Sequence, residues 1–106
     1  MRSFALSLFV LSLFYSSTAL SDRTDCPKAK VEMIQIEGSI IHYKQLGAPW
    51  RHLGNISNEG TKIRHSALLA AQMANKDVIV GYPKNNYDCT KENYGISAYI
   101  VRTYKD

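Results

Sequence analysis

The stretch from Thr61 to Tyr82 most constrains the fold, because it joins an apolar helix to an apolar strand. Its first part repeats alanine and leucine at spacings of three and four residues, which gives a helix one apolar face. Its second part begins at Val78 and is β-branched, as strands prefer. Only a turn at residues 76–77 separates the two parts. A helix that returns directly into a strand predicts a sheet beneath the helix.

The ends and the inward side of this helix are also predicted by its sequence. Asn58 or Thr61 can cap its first turn, and Asn75 is suited to a left-handed cap at its end. We expect the buried side to consist of Ile63, Ala67, Leu68 and Ala71. The apolar surface extends beyond that stripe to Leu69, Ala70 and Met73. An apolar surface of this width predicts a contact between subunits there.

The first 19 residues have the organisation of a secretory signal. Arg2 precedes an apolar run over residues 4–15, and residues 17–19 are the small residues that signal peptidase prefers. We predict cleavage after Ala19, which leaves a single domain over residues 20–106. The apolar run is too short for a membrane span, which needs about 20 apolar residues. The expected location is therefore secreted or periplasmic.

The two cysteines, Cys26 and Cys89, both belong to the predicted mature domain. They should pair in an oxidising compartment, where small domains often depend on a disulfide. The alternatives are two free thiols or a metal site. The sequence has no Cys-x-x-Cys motif and no clustered histidines, which disfavours metal binding. We predict a disulfide, and neither a metal nor a cofactor.

Alternating apolar residues predict five strands, at residues 30–37, 40–46, 50–56, 78–82 and 96–104. Residues 37–39 form a hairpin turn, and Gly54 indicates a bulge. Together with the helix, the predicted order is β-β-β-α-β-β. This is the order of an OB-fold, a five-stranded antiparallel Greek-key barrel. A plain antiparallel sheet with one helix packed on it has the same order and differs only in closure.

Three segments of the chain, together with its two cysteines, resemble small secreted bacterial proteins: WRHLGN at 50–55, SALLAAQMANKDVIVGY at 66–82 and YIVR at 99–102. The helix–strand segment also resembles the B subunits of AB5 toxins, in the subtilase cytotoxin and pertussis-like branch. The resemblance implies an OB-fold that assembles into a ring of five, binds a cell-surface glycan and accompanies a toxin A subunit. Members of the small secreted group often have a second cysteine pair, near the places of Leu53 and His65 here.

A glycan site needs an aromatic ring that stacks on the sugar and hydrogen-bonding side chains beside it. The candidates in this chain are Tyr43, Trp50, Arg51, Asn55 and Tyr99. The competing interpretation of a single tryptophan in a small barrel is a core position. The predicted function is a secreted glycan-binding module. The alternative is an exported interaction or inhibitor module without a glycan ligand.

The three histidines, His42, His52 and His65, raise the question of acid–base catalysis, for example in RNA cleavage. The sequence places no nucleophile elbow, paired carboxylate motif or metal-ligand spacing beside them, so we predict no enzyme. OB-folds also bind single-stranded nucleic acid. The formal charge of +4 is scattered along the chain, and the secretory signal favours glycan or protein partners instead.

Overall fold

The computed structural model describes residues 22–105, which form one six-stranded sheet and one helix. The elements in chain order are β1 (Thr24–Asp25), β2 (Ala29–Glu37), β3 (Ile40–Gln45), β4 (Trp50–Asn55), α1 (Glu59–Ala74), β5 (Asp77–Tyr82) and β6 (Ile100–Thr103). The predicted signal peptide, residues 1–19, lies outside the described residues. The prediction of a mainly β fold with one helix is confirmed.

The strand pairs are all antiparallel. β2, β3 and β4 follow one another as neighbours, and the turn between β2 and β3 lies at Gly38, as predicted. β5 pairs with β2 only at the start of β2, and it also pairs with β1 and β6. The remainder of β2 therefore has a strand neighbour on one side alone.

Closure of the sheet into a barrel is not confirmed, since the strands of residues 22–105 include no β4–β6 pair. Two backbone hydrogen bonds instead connect β4 to the segment that precedes β6. Asn93 N donates to Trp50 O at 3.1 Å, and Ala98 N donates to Leu53 O at 3.0 Å. The segment 93–98 therefore lies along β4, and the OB-fold stays a prediction.

The ends of α1 are those that its sequence predicts. Asn58 is the N-cap, and its Oδ1 accepts a hydrogen bond from Thr61 N at 3.2 Å. Asn75 adopts a left-handed φ of 58°, and its N–H bonds to the carbonyls of the last turn. The Asn58 side chain and the Asn75 backbone N–H therefore satisfy backbone groups that a helix end otherwise leaves free.

The predicted inward side of α1 is wrong at Ile63, which is 67% exposed. The buried residues of α1 are Thr61, Leu68 and Ala71. Thr61 packs directly against β4, and each helical residue turns the chain by about 100°. Ile63 is therefore turned by about 200° from Thr61, toward solvent.

The contact between Thr61 and β4 is made at Gly54, where the predicted bulge is confirmed. The register shifts here, because Ile41 is opposite Gly54 while the next residue, His42, is opposite His52. A Cβ added to Gly54 would overlap the Thr61 side chain. Its φ of 151° is also one that residues with a side chain rarely adopt. The glycine therefore permits α1 to start against the sheet.

The core lies between α1 and the sheet and contains three tyrosines, Tyr43, Tyr82 and Tyr87. The rings of Tyr82 and Tyr87 are stacked, with centroids 4.1 Å apart. Trp50 is only partly buried, so the interpretation of the single tryptophan as a core residue is not supported. Tyrosine provides most of the aromatic volume that this small core contains.

The last strand is shorter than predicted and begins at Ile100. The cause is Asn93, whose Oδ1 accepts hydrogen bonds from Gly95 N and Ile96 N. Its Nδ2 also donates to Ile96 O at 2.8 Å. These local bonds turn the chain where the alternating pattern alone predicts an extended strand.

The segment before Cys26 contains a strand, β1, that its polar sequence does not predict. Thr24 is opposite Tyr82 in β5. The Thr24 hydroxyl donates to Lys84 O at 2.8 Å and accepts a hydrogen bond from Tyr87 N at 3.2 Å. The order of β1 therefore depends on contacts with residues that are distant in the sequence.

Candidate functional site

A pocket of about 290 Å³ opens between the start of β2, the turn from β3 to β4, and the segment at Cys89. Its walls are mostly apolar and include Pro27, Leu46 and Pro49. The polar residues of its lining include Lys28, Arg51 and Thr90. An apolar cleft with a few polar groups is the usual form of a small-molecule site.

The predicted disulfide between Cys26 and Cys89 is confirmed and forms part of this region. Its Cα atoms are 5.6 Å apart, and Cys26 is fully buried. Cys26 N also donates to Val80 O at 3.0 Å. The disulfide therefore fixes one wall of the pocket to the strand β5.

Arg51 is the most unusual residue of the pocket, because its guanidinium is buried without an acidic partner. The residue is 2% exposed. Its Nη1 donates to Gln45 Oε1 at 2.9 Å, and its Nη2 donates to Cys89 O at 2.6 Å. Its Nε has no partner, and neither ion pair found among residues 22–105 includes it. The pocket is therefore lined by a positive charge that only neutral acceptors compensate.

Gln45 provides an acceptor for Arg51 and is itself held in place by two hydrogen bonds. Its Nε2 donates to Ala29 O and to Val78 O, both at 3.0 Å. Since both donor protons of the amide are engaged, its Oε1 is directed to the guanidinium. Burial of a charge is costly unless its hydrogen bonds are satisfied, and Gln45 meets part of that requirement.

Two tyrosine hydroxyls extend this polar cluster into the core. Tyr82 donates to His52 O at 2.9 Å, and the hydroxyls of Tyr43 and Tyr82 are 2.8 Å apart. Because Tyr82 has only one proton, Tyr43 is the donor between the two hydroxyls. Burial raises the pKa of Tyr43 to about 12, and burial together with the nearby Tyr43 also raises the pKa of Tyr82. Both phenols are therefore neutral over the physiological range of pH.

The five residues predicted to contact a glycan do not form one exposed surface. Tyr43 and Arg51 are buried, and Trp50 is partly buried. Asn55 is exposed at the opposite end of β4 from Trp50, where its Oδ1 accepts a hydrogen bond from the amide of the adjoining turn. Tyr99 is 61% exposed and lies just before β6. Of the five, Arg51 alone belongs to the lining of the pocket described above.

Several residues of the pocket were not predicted from the sequence, although two of them had a usable signal there. Lys28 follows Cys26 by two positions, and Thr90 follows Cys89 directly. A predicted disulfide brings the neighbours of its two cysteines together, so polar residues beside cysteines were candidates for a common site. Gln45 had no such signal, because its partners are distant in the sequence.

The residues predicted to contact another subunit lie on the outer surface of α1. Leu69 is 41% exposed and Met73 is 80% exposed, one helical turn apart, and Ala70 is exposed beside them. Ala70 also lines a groove of about 250 Å³ between α1 and the chain at Tyr104. The subunit contact stays a prediction, because the structure contains one chain.

No helix within residues 22–105 is long and apolar enough to cross a membrane. The same residues contain no group of three or more His, Cys, Asp or Glu side chains that could hold a metal ion. No family model, curated protein or solved structure matches the chain. The geometry of the pocket is therefore the basis for assigning a function.

Proposed function

We propose that this protein is an exported glycan-binding module, and that the pocket beside the disulfide receives a sugar with a carboxylate group. The observation that carries this proposal is Arg51, a buried guanidinium that lines the pocket without a carboxylate partner among residues 22–105. A bound carboxylate would supply the negative charge that the protein does not.

The electrostatics of the pocket favour an anion over a neutral sugar. Arg51 lies beneath the surface, where screening by salt and water is weak, so its charge acts on a ligand over a longer range than an exposed charge does. Lys28 also lines the pocket, but its Nζ lies 4.7 Å from the centroid of the Tyr104 ring, so Arg51 is the main charge that a ligand would meet.

The shape of the pocket favours one sugar unit over a branched group. Its volume of about 290 Å³ lies at the lower end of the range for small-molecule sites. The apolar side chains of Leu46 and Pro49 can contact the C–H face of a sugar, and the Thr90 hydroxyl can bond to a ring substituent. The pocket therefore fits a terminal acidic sugar.

The test is a glycan array that contains acidic glycans and the uncharged methyl esters of the same sugars. We expect the mature protein to bind the acids and not the esters. Leu46→Asp places a negative charge at an exposed position of the lining, and it should weaken binding at least about tenfold. Lys28→Gln should weaken binding by a smaller factor, since an exposed charge is screened.

The matched control is Lys62→Gln, which removes an exposed lysine from α1, away from the pocket lining. It should leave glycan binding unchanged. If the protein binds no glycan, or if Leu46→Asp and Lys62→Gln bind alike, the proposed site is wrong. The alternative of an interaction module without a glycan ligand would then be preferred.

The proposed location outside the cytoplasm rests on two observations. The Cys26–Cys89 disulfide is of the kind that persists in oxidising compartments, and the first 19 residues have the pattern of a secretory signal. Mass measurement of the protein recovered from culture supernatant or periplasm tests this location. A mature chain that begins at residue 20 is the expected result.

We also propose that copies of the chain associate through α1, as the resemblance to ring-forming toxin B subunits implies. Exposure of Met73 and Leu69 on one side of the helix favours such a contact, because large apolar side chains are otherwise costly to expose. Light scattering should give about five times the mass of one chain. The Leu69→Asp, Met73→Asp double variant should be monomeric, whereas Ile36→Asp, at an exposed position on β2, should not change the mass. A toxin A subunit would be the further partner of such a ring.

A further inference from the structure

A pair of histidines lies on β3 and β4, on the face of these strands that is turned away from the core. His42 and His52 are directly opposite each other, with ring centroids 5.0 Å apart. His52 is 6% exposed. The Nε2 atom of His42 and the Nδ1 atom of His52 are buried and have no hydrogen-bond partner among residues 22–105. Neither ring therefore has an acceptor at that nitrogen to stabilise an added proton.

The segment 93–98 covers this pair. Tyr94 contacts His42 edge to face, with ring centroids 5.2 Å apart. The backbone bonds from Asn93 to Trp50 and from Ala98 to Leu53 lie on either side of His52 in the chain. The contact between the segment and β4 is thus centred on the histidine pair.

The residues beside His42 on β3 and β2 do not provide a free acid as a partner for an imidazolium ion. On β3, Lys44 shares the face of His42 and pairs with Glu32 of β2 at 2.8 Å. On β2, the residue opposite His42 is the uncharged Gln35.

Other titratable groups near the pair lie beside the covering segment and on β4 and β5. Glu92 accepts a hydrogen bond from the Tyr94 hydroxyl at 3.0 Å, at the exposed end of that ring. Arg51 of β4 is engaged on the core side by Gln45. From β5, the Tyr82 hydroxyl donates to the carbonyl oxygen of His52. Glu92, which directly precedes the segment 93–98, is thus engaged by Tyr94.

We propose that His42 and His52 form an acid-sensitive contact that releases the segment 93–98 from β4 when the buried His52 ring takes up a proton. That proton places a charge beneath the segment, against the His42 ring and at a site where His52 Nδ1 has no acceptor among residues 22–105. Separation of the segment from β4 hydrates both rings and removes that cost. The protein would then have a closed form at neutral pH and a form with this segment released in mild acid.

The sign of the pH dependence follows from His52. Burial, and then the charge on His42, lower the pKa of His52 below its usual value of about 6.5. The released state therefore binds more protons than the closed state at mildly acidic pH. Since stability rises with pH wherever the open state binds more protons, the closed state loses stability as the pH falls below about 6.5.

Amide hydrogen exchange of the mature protein at about pH 7.5 and about pH 5 tests this proposal. After correction for the intrinsic effect of pH, the protection of the Asn93 and Ala98 amides should fall at least about tenfold in acid. The amide of Cys26, which donates to Val80 O in the other part of the sheet, is the internal reference and should keep its protection.

The His42→Gln, His52→Gln double variant should show no such difference between the two values of pH. His65→Gln is the matched control, because His65 lies on α1, outside this contact, and that variant should behave as the wild type. The proposal is wrong if protection at Asn93 and Ala98 is constant, or falls only in parallel with that of Cys26. It is also wrong if the double variant retains the fall in protection.

Discussion

The connection between β5 and β6 covers two clusters of buried polar side chains that differ in how their hydrogen bonds are satisfied. At one end, Arg51 donates to Gln45 and to the Cys89 carbonyl, and the disulfide fixes the same place. At the other end, His42 and His52 each have a buried nitrogen without a partner. The hydrogen bonds of the first cluster are compatible with the positive charge of Arg51. The second cluster, the histidine pair, is stable only while it is neutral.

The connection between β5 and β6 therefore has a permanent end, at Cys89, and a conditional end, at residues 93–98, which we propose is released in mild acid. Both clusters contain a buried nitrogen without a partner among residues 22–105, since Arg51 Nε is also unpaired, and such atoms are costly. Only the Arg51 end is also held by two guanidinium hydrogen bonds and the disulfide. The end of the connection at Cys89 should therefore stay in place under conditions that release residues 93–98. The predictions below test the permanent end.

Removal of the disulfide should cause the largest loss of stability among the variants that test the Cys89 end. The two cysteines are 63 residues apart in the sequence, and the entropy of closing a loop of that length corresponds to about 4 kcal/mol. The Cys26→Ser, Cys89→Ser double variant should thus lose about 3–4 kcal/mol of unfolding free energy, measured by urea denaturation. A loss below about 1 kcal/mol would show that hydrogen bonds alone hold the Cys89 end.

Removal of single tyrosine hydroxyls should have an intermediate effect that depends on how many bonds each makes. Tyr82→Phe leaves both His52 O and the Tyr43 hydroxyl without their partner, and it should cost about 2–3 kcal/mol. Tyr43→Phe removes one bond and should cost about 1 kcal/mol. Equal losses in urea denaturation would contradict the direction of donation inferred for this pair.

The smallest expected effect is a loss of stability in alkali, and this loss does not occur at neutral pH. Burial raises the pKa of Tyr43 to about 12, above its usual value of about 10. The folded protein therefore holds this proton more tightly than the unfolded chain does. The resulting stability is complete below about pH 10 and is lost as the pH rises toward about 12.

Urea midpoints measured at increasing alkaline pH provide the test. The slope against pH should be reduced in Tyr43→Phe and unchanged in Tyr99→Phe, which alters an exposed ring. If both variants retain the wild-type slope, Tyr43 does not take part in alkaline unfolding.

The features that the sequence predicted correctly depend on neighbouring residues. Asn58 and Asn75 cap α1 through bonds within its first and last turns, and Gly38 forms its turn locally. The pairing of Cys26 with Cys89 required only that they were the two cysteines of the predicted mature domain. Local geometry and composition were sufficient in each case.

The features that were missed depend on contacts between distant residues. Ile63 is exposed because Thr61, against Gly54, sets the rotation of α1, and the apolar pattern alone does not specify that rotation. Arg51 is buried because Gln45 and Cys89, from two other parts of the chain, supply its acceptors. An arginine in a strand gives no local sign of such partners.

The close approach of Gly54 and Thr61 has a consequence for sequence variation. Any side chain at position 54 would displace the start of α1 from β4, so a library of random variants should retain almost only glycine there. Position 61 faces the same gap and should accept only small residues. Selection for folding alone would therefore keep these two positions nearly constant, even in variants that have lost every ligand.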